Sequence, residues 1–162
     1  MITVDDFKNL VPNWSNEITQ LKLQILIDEF QKSFMAELLG KQLAVDVYNW
    51  HNLYNEDLYN VYDLPNYYTL IFGEEWTNFK GIKQIIIYYI YWNWVKSSYY
   101  EQTAGGQIAI LNENGEKCNP QIVLSSLWND NRQRWIDFRF WLTENPIEIF
   151  AGTNEINYIS WL

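Results

Sequence analysis

The chain is poor in the residues from which most catalytic and metal sites are built. Its 162 residues include one cysteine, Cys118, and one histidine, His51. A single thiol permits no internal disulfide, so the sequence neither needs nor signals an oxidising compartment. A single imidazole excludes a histidine-based metal cluster and forces any Ser-His-acid or Cys-His site through His51. Cations are also scarce: 11 Lys and Arg stand against 20 Asp and Glu, a formal charge of −9. Binding phosphate needs cations gathered on one surface, so this balance argues against an exposed nucleic-acid-binding face and against sequence-specific DNA binding. It suits solubility, and equally a wall that DNA slides past without sticking. Long apolar runs are missing as well. The longest, Ile85 to Tyr91 and on through Trp92, Trp94 and Val95, falls short of the roughly 20 residues that span a bilayer. The start, MITVDDFKNL, has neither the basic opening nor the apolar core of a signal peptide. Synthesis in the cytoplasm, with no membrane partner, is the expectation.

Aromatic residues are what the chain has in plenty. Nine Trp and twelve Tyr accompany a hydrophobic fraction of 48%, which excludes a disordered chain. The length fits one domain with a substantial core. Trp and Tyr combine a large buried area with a polar handle and are enriched at interfaces. Part of this excess is therefore expected to face a partner, and the rest to fill the core.

The pattern along the chain is mainly helical. Thr3 can cap a short helix with Asp5 and Asp6 in its first turn, stopped by Val11-Pro12. Ser15 or Asn16 opens a longer helix over about 16–39, with Ile18, Leu21, Ile25, Phe30, Phe34 and Leu38 at helical spacing and Gly40 as breaker. Residues 41–79 mix apolar positions with Asn, Asp, Pro65 and Gly73, which predicts short helices near 42–50 and 64–72. From about 81 to 101 the chain is apolar all round, the mark of a helix buried on every side and central to its fold. After Gly105-Gly106, the alternation Ile108, Ile110 predicts a strand, NENGEK a turn and Lys117-Cys118 a short return. The Gly-Gly pair serves as a hinge for this finger. Its tip comprises Asn112, Glu113, Asn114, Gly115, Glu116 and Lys117. Asn119-Pro120 opens a last helix whose buried stripe is Leu124, Leu127, Trp128, Asn131, Trp135, Phe138 and Leu142, and Asn145-Pro146 ends it. The remainder carries Ile147, Ile149, Phe150, Ile156, Tyr158, Ile159, Trp161 and Leu162 in a segment too broken for a long helix. An apolar tail of this kind needs a surface to bury itself on. The fold class is thus mainly α: a small helical bundle with a protruding β-hairpin or finger and an extended C-terminal tail. Residues 1–145 form the bundle with the finger at about 104–118, and 146–162 form a docking tail.

Sites of chemistry fare poorly. Cys118 sits beside the predicted hairpin, away from a helix start that would lower its pKa. The acidic pairs Glu56-Asp57 and Glu74-Glu75 could be imagined as a glycosidase acid and base, but nothing in the spacing places them across one cleft. Gly105-Gly106 lacks the fingerprint of a phosphate cradle. Arg132, Arg134 and Arg139 could touch phosphate, yet Asp130 and Asp137 lie within helical reach and are expected to pair with part of the group. No catalytic, cofactor-binding or metal-binding residue is expected, and the chain is not expected to be an enzyme.

In order and spacing, ITVDDFKNLVP, a long helix ending LLGKQL, LIFGEEW, FKGIKQIIIYYIYWNWV and TAGGQIAILNENGEKCNP before a terminal helix resemble the head-tail connector, or adaptor, proteins of tailed bacteriophages. The likeness is greatest to versions in phages of Bacteroidetes hosts. It extends from residue 1 to about 142. The resemblance implies a homo-oligomeric ring of about a dozen copies at the virion neck, closed by contacts between unlike faces. Such a ring binds the portal protein, continues the DNA channel and presents a surface to the next tail or neck protein. The family's C-terminal segment docks on the portal, which gives the tail residues Ile147, Ile149, Phe150, Tyr158, Ile159, Trp161 and Leu162 that role. The high Trp and Tyr content and the length of the tail depart from the family's usual pattern. Two other readings stand beside it: another virion ring or tail-completion protein, and a non-viral aromatic-rich binding module.

Overall fold

The computed structural model of the chain describes residues 1–53, 65–103, 106–109 and 120–144. Their architecture is mainly helical, as the sequence predicts. A short 3-10 helix, Val4–Phe7, leads into α1 (Glu17–Leu39), α2 (Lys41–Leu53), α3 (Pro65–Phe72), α4 (Ile82–Tyr99), the strands β1 (Tyr100–Thr103) and β2 (Gly106–Ala109), and α5 (Pro120–Glu144).

α4 is the centre. Ile82, Ile85, Ile86, Ile87, Ile90 and Val95 are buried on several sides of it, and α1, α3 and α5 all pack against it. α1 runs antiparallel to α4. Phe30 and Phe34 meet Tyr89, the latter stacked with ring centroids 3.9 Å apart, while Ile18 and Lys22 line a groove with Trp94 and Ser98. α5 is antiparallel to α4 as well. Trp92 Nε1 donates to the Leu124 carbonyl oxygen at 3.1 Å near one end, and Phe138 and Trp141 stack on Phe79 at the other. The N-terminal segment is tied down from two sides. Ile2 N donates to the buried Gln31 Oε1 at 2.6 Å, and Lys83 Nζ pairs with Asp6 Oδ1 at 2.8 Å.

α1 begins at the Asn16 cap, whose Oδ1 accepts from Ile18 N at 2.9 Å, and ends at Gly40. Its buried face, however, is Leu23, Ile27, Gln31, Phe34, Met35, Leu38 and Leu39. The first half of the predicted stripe, Ile18, Leu21 and Ile25, points the other way and is exposed.

The strand region also differs from expectation. β2 pairs antiparallel with β1, Tyr100 opposite Ala109 and Thr103 opposite Gly106, a partner not expected from the sequence, while the predicted turn NENGEK and return at Lys117-Cys118 lie outside the described residues. The central helix consequently stops at Tyr99, two residues before the predicted end. Ser97 and Ser98 are modest helix formers, and the aromatic and β-branched residues at Tyr100 and Thr103 favour a strand. Pairing with the nearest following segment also closes the shortest loop. Gly106 therefore opens a strand, whereas Gly105 and the predicted finger tip, Asn112 to Lys117, lie outside the described residues. So does the tail 146–162.

Two glycines fix the join between α3 and α4. Gly73 and Gly81 have φ of 86° and 85°, and they approach each other so closely that a Cβ on Gly81 would run into the Ile71 carbonyl and the backbone of Phe72 and Gly73. Gly40 has a comparable φ of 79° but open space around it. Gly40→Ala should therefore cost only the backbone strain, about 1–3 kcal/mol. Gly81→Ala should cost distinctly more, because backbone has to move. Urea unfolding of the two variants checks this; equal losses would show that the close approach contributes nothing.

Candidate interaction surfaces

Among the described residues, two groups of exposed apolar side chains lie toward opposite ends of the bundle, with Val45, Tyr68 and Ile122 exposed as well. On α1, Ile18, Leu21 and Ile25 are 66%, 63% and 56% exposed. Their spacing of three then four residues sets them in one row, opposite the buried Leu23, Ile27, Gln31 and Phe34. The row stops at Asp28 and Lys32, which occupy the next two places in the same pattern. Alongside it, Asn13, Ser15, Asn16, Ile18, Thr19, Lys22, Trp94 and Ser98 line an open groove of about 520 Å³. The groove has an aromatic wall, a cation and several hydroxyl and amide groups, with no carboxylate in its lining. Asn13, at φ 54°, turns the chain there in the left-handed region that Asn tolerates.

At the other end, Trp76 stands 90% exposed in the turn between α3 and α4, and Phe140 is 68% exposed near the end of α5. The two elements are joined by Trp141 Nε1 donating to Glu74 Oε2 at 3.2 Å. These apolar faces are unlike in shape and composition, an aliphatic row at one end and aromatic rings at the other. The only sequence signal for the outer row is that α1 carries apolar residues on two opposite faces, more than one packed side can bury.

Aromatic rings and a few polar groups meet where α4 and α5 pack. The Arg134 guanidinium lies 3.8 Å from the Tyr88 ring centroid, and that of Arg139 lies 4.9 Å from the Trp135 ring. Two of the three arginines named from the sequence thus meet aromatic faces, which favour cations, while Asp137 accepts from Gln133 Nε2 at 3.0 Å. Arg132 is exposed. One turn from Arg134, Asn131 is 6% exposed. Its Oδ1 and Arg134 Nε are buried without a hydrogen-bond partner among the described residues. Burial pushes the pKa of Tyr89 above that of an ordinary phenol, opposed by a hydrogen bond involving Asn93 and reinforced by Glu37 and Glu29. Burial, then Tyr88, raises the pKa of Tyr91. Both phenols therefore stay neutral across the physiological range.

The other chemistry-bearing residues are dispersed. The His51 ring is tilted against Phe72 with centroids 6.2 Å apart, Glu74 is engaged by Trp141, and Glu75 is exposed. Glu56, Asp57 and Cys118 lie outside the described residues, as do the proposed tail contacts. Among the described residues no cluster of three or more His, Cys, Asp or Glu could hold a metal, and no helix is long and apolar enough to cross a membrane. No family model matches the chain, and no curated protein or solved structure matches it either.

An unpartnered buried polar atom costs about 1–3 kcal/mol, and an apolar side chain of similar shape removes that cost. Asn131→Leu should accordingly raise the unfolding free energy by about that amount. A loss of stability in the same unfolding measurement would mean that the amide has a partner.

Proposed function

We propose that this chain is a structural adaptor of a tailed-phage neck, which forms a ring between portal and tail and continues the DNA channel. The observation that carries the reading is the pair of unlike apolar faces at opposite ends of the described bundle, Ile18-Leu21-Ile25 at one and Trp76 with Phe140 at the other. A contact between unlike faces propagates from copy to copy and closes when the rotation between neighbours divides a full turn. The acidic balance supports the same reading, since a channel wall of net negative charge does not retain DNA. In this proposal the tail residues Ile147, Ile149, Phe150, Tyr158, Ile159, Trp161 and Leu162 anchor the ring on the portal. The segment Asn112 to Lys117 faces the channel or a neighbouring copy. The chain performs no catalysis and uses no cofactor. It acts in the virion after synthesis in the host cytoplasm.

Head-to-tail closure has a consequence that a symmetric dimer lacks. With portal present, Leu21→Glu alone and Trp76→Ser alone should each prevent ring formation, whereas a mixture of the two variants should stop at pairs, each joined through its one intact contact. Native mass spectrometry distinguishes these species. Rings from either single variant, or an absence of pairs from the mixture, would overturn the proposal.

A further inference from the structure

The groove beside α1 has a lining that neither the core nor the exposed aliphatic row accounts for. Its wall is Trp94, which also packs against the core. Tyr91 flanks this ring, with centroids 6.1 Å apart and planes 14° from parallel. Around the wall stand uncharged polar side chains from the turn before α1 and from α1 and α4: Asn13, Ser15, Asn16, Thr19 and Ser98. Asn16 uses its Oδ1 to cap α1, which leaves its Nδ2 as a donor. The other four make no side-chain hydrogen bond among the described residues. The volume, about 520 Å³, falls within the roughly 300–1,000 Å³ of small-ligand sites. We propose that this groove binds a neutral carbohydrate, with one pyranose ring laid on Trp94 and its hydroxyl groups held by the Asn, Ser and Thr side chains.

The chemistry of the lining selects this class. An aromatic face carries partial negative charge, which attracts the C–H groups on the apolar face of a pyranose. Sugar hydroxyl groups both donate and accept, and Asn, Ser and Thr side chains do the same, so the two sets can meet in either sense. Charged ligands fit less well. No carboxylate lines the groove, so a divalent cation would lack its usual ligands. Recognition of phosphate or carboxylate rests on charge-assisted bonds, and the one cation in the lining, Lys22, has an interaction of its own within the chain. A wholly apolar ligand would cover these hydroxyl and amide groups without replacing their bonds to water. The site is also built on packed elements. α1 carries Thr19 and α4 carries Trp94 and Ser98, and the two helices pack together, so much of the geometry is set before a ligand arrives. Asn13 supplies an amide at a position, φ 54°, whose backbone suits glycine better. The groove shares only Ile18 with the exposed row, and the inference does not rest on the ring proposal.

The test uses the full chain without portal, titrated in turn with maltotriose, cellotriose and chitotriose. Proton–nitrogen NMR follows the indole N–H of Trp94, identified by its loss in Trp94→Phe. At least one of the three sugars should shift this signal to saturation. Asn13→Gly keeps the backbone turn while removing the amide, and should weaken that binding about fivefold, the worth of one hydrogen bond. Trp94→Ala should abolish saturation transfer to the sugar protons, with circular dichroism establishing that the variant is folded. Trp76→Ser, at the opposite end of the bundle, should leave sugar binding unchanged whether or not rings form, so the two proposals fail separately. No shift of Trp94 with any of the three sugars would overturn the inference. So would an affinity unchanged by Asn13→Gly, or saturation transfer that persists in Trp94→Ala. An equal shift of Trp94 with inorganic phosphate would overturn it too, since it would assign the groove to an anion.

Discussion

The bundle depends on the need to surround α4. Six of its aliphatic side chains are buried, and each contributes about 1.5–3 kcal/mol when removed from water. No single neighbour can cover a helix that is apolar all round, so at least three must approach it. α1, α3 and α5 do so, and the constraint explains several local features. The closed turn between Gly73 and Gly81 returns α3 directly onto the start of α4. Lys83 and Asp6 hold the N-terminal segment against the same end. Tyr88, Tyr89 and Trp92, at the borders of the buried surface, make contacts that combine ring packing with a polar tip: Tyr89 stacks on Phe34, Trp92 donates to the Leu124 carbonyl, and Tyr88 receives Arg134.

Covering α4 leaves apolar surface elsewhere. α1 spends one face on the core yet has a second row of aliphatic residues over its first half, and the α3–α4 turn exposes a tryptophan. Exposed aliphatic residues scattered singly need no explanation, but a row at helical spacing beside a groove marks a contact site. The proposed ring contact assigns that surface to a neighbouring copy.

Much of the architecture was legible in the sequence because its signals are local. Asn16, Gly40 and Pro120 mark helix boundaries through capping and backbone freedom, and the uninterrupted apolar character of residues 82–95 identifies the central helix. What was not legible depends on choosing between patterns of comparable quality. α1 presents Ile18-Leu21-Ile25 and Leu23-Ile27-Gln31-Phe34 as competing stripes. Periodicity alone favours the all-aliphatic one. The chain buries the other, which continues through Met35, Leu38 and Leu39, and its one polar member, Gln31, accepts from the Ile2 amide, a contact that sequence spacing does not reveal. The pairing of β1 with β2 was not legible for a similar reason. Ile108 alternates with Ile110 whichever side its partner comes from, and the predicted helix took in Tyr100 and Glu101, the first two residues of β1. The contact of Arg134 with Tyr88 was not legible because it joins α5 to α4, whereas that of Arg139 with Trp135 lies at helical spacing within α5.

Amide hydrogen exchange on the full-length chain addresses the central claim most directly, that α4 is the element on which the rest is assembled. The account predicts that amides from Ile85 to Ile90 exchange slowest in the molecule, opening only with global unfolding, while those at the outer end of α1 and in the α3–α4 turn exchange through smaller openings. Rapid exchange across Ile85 to Ile90, with the slowest amides in α2 or α5 instead, would contradict it.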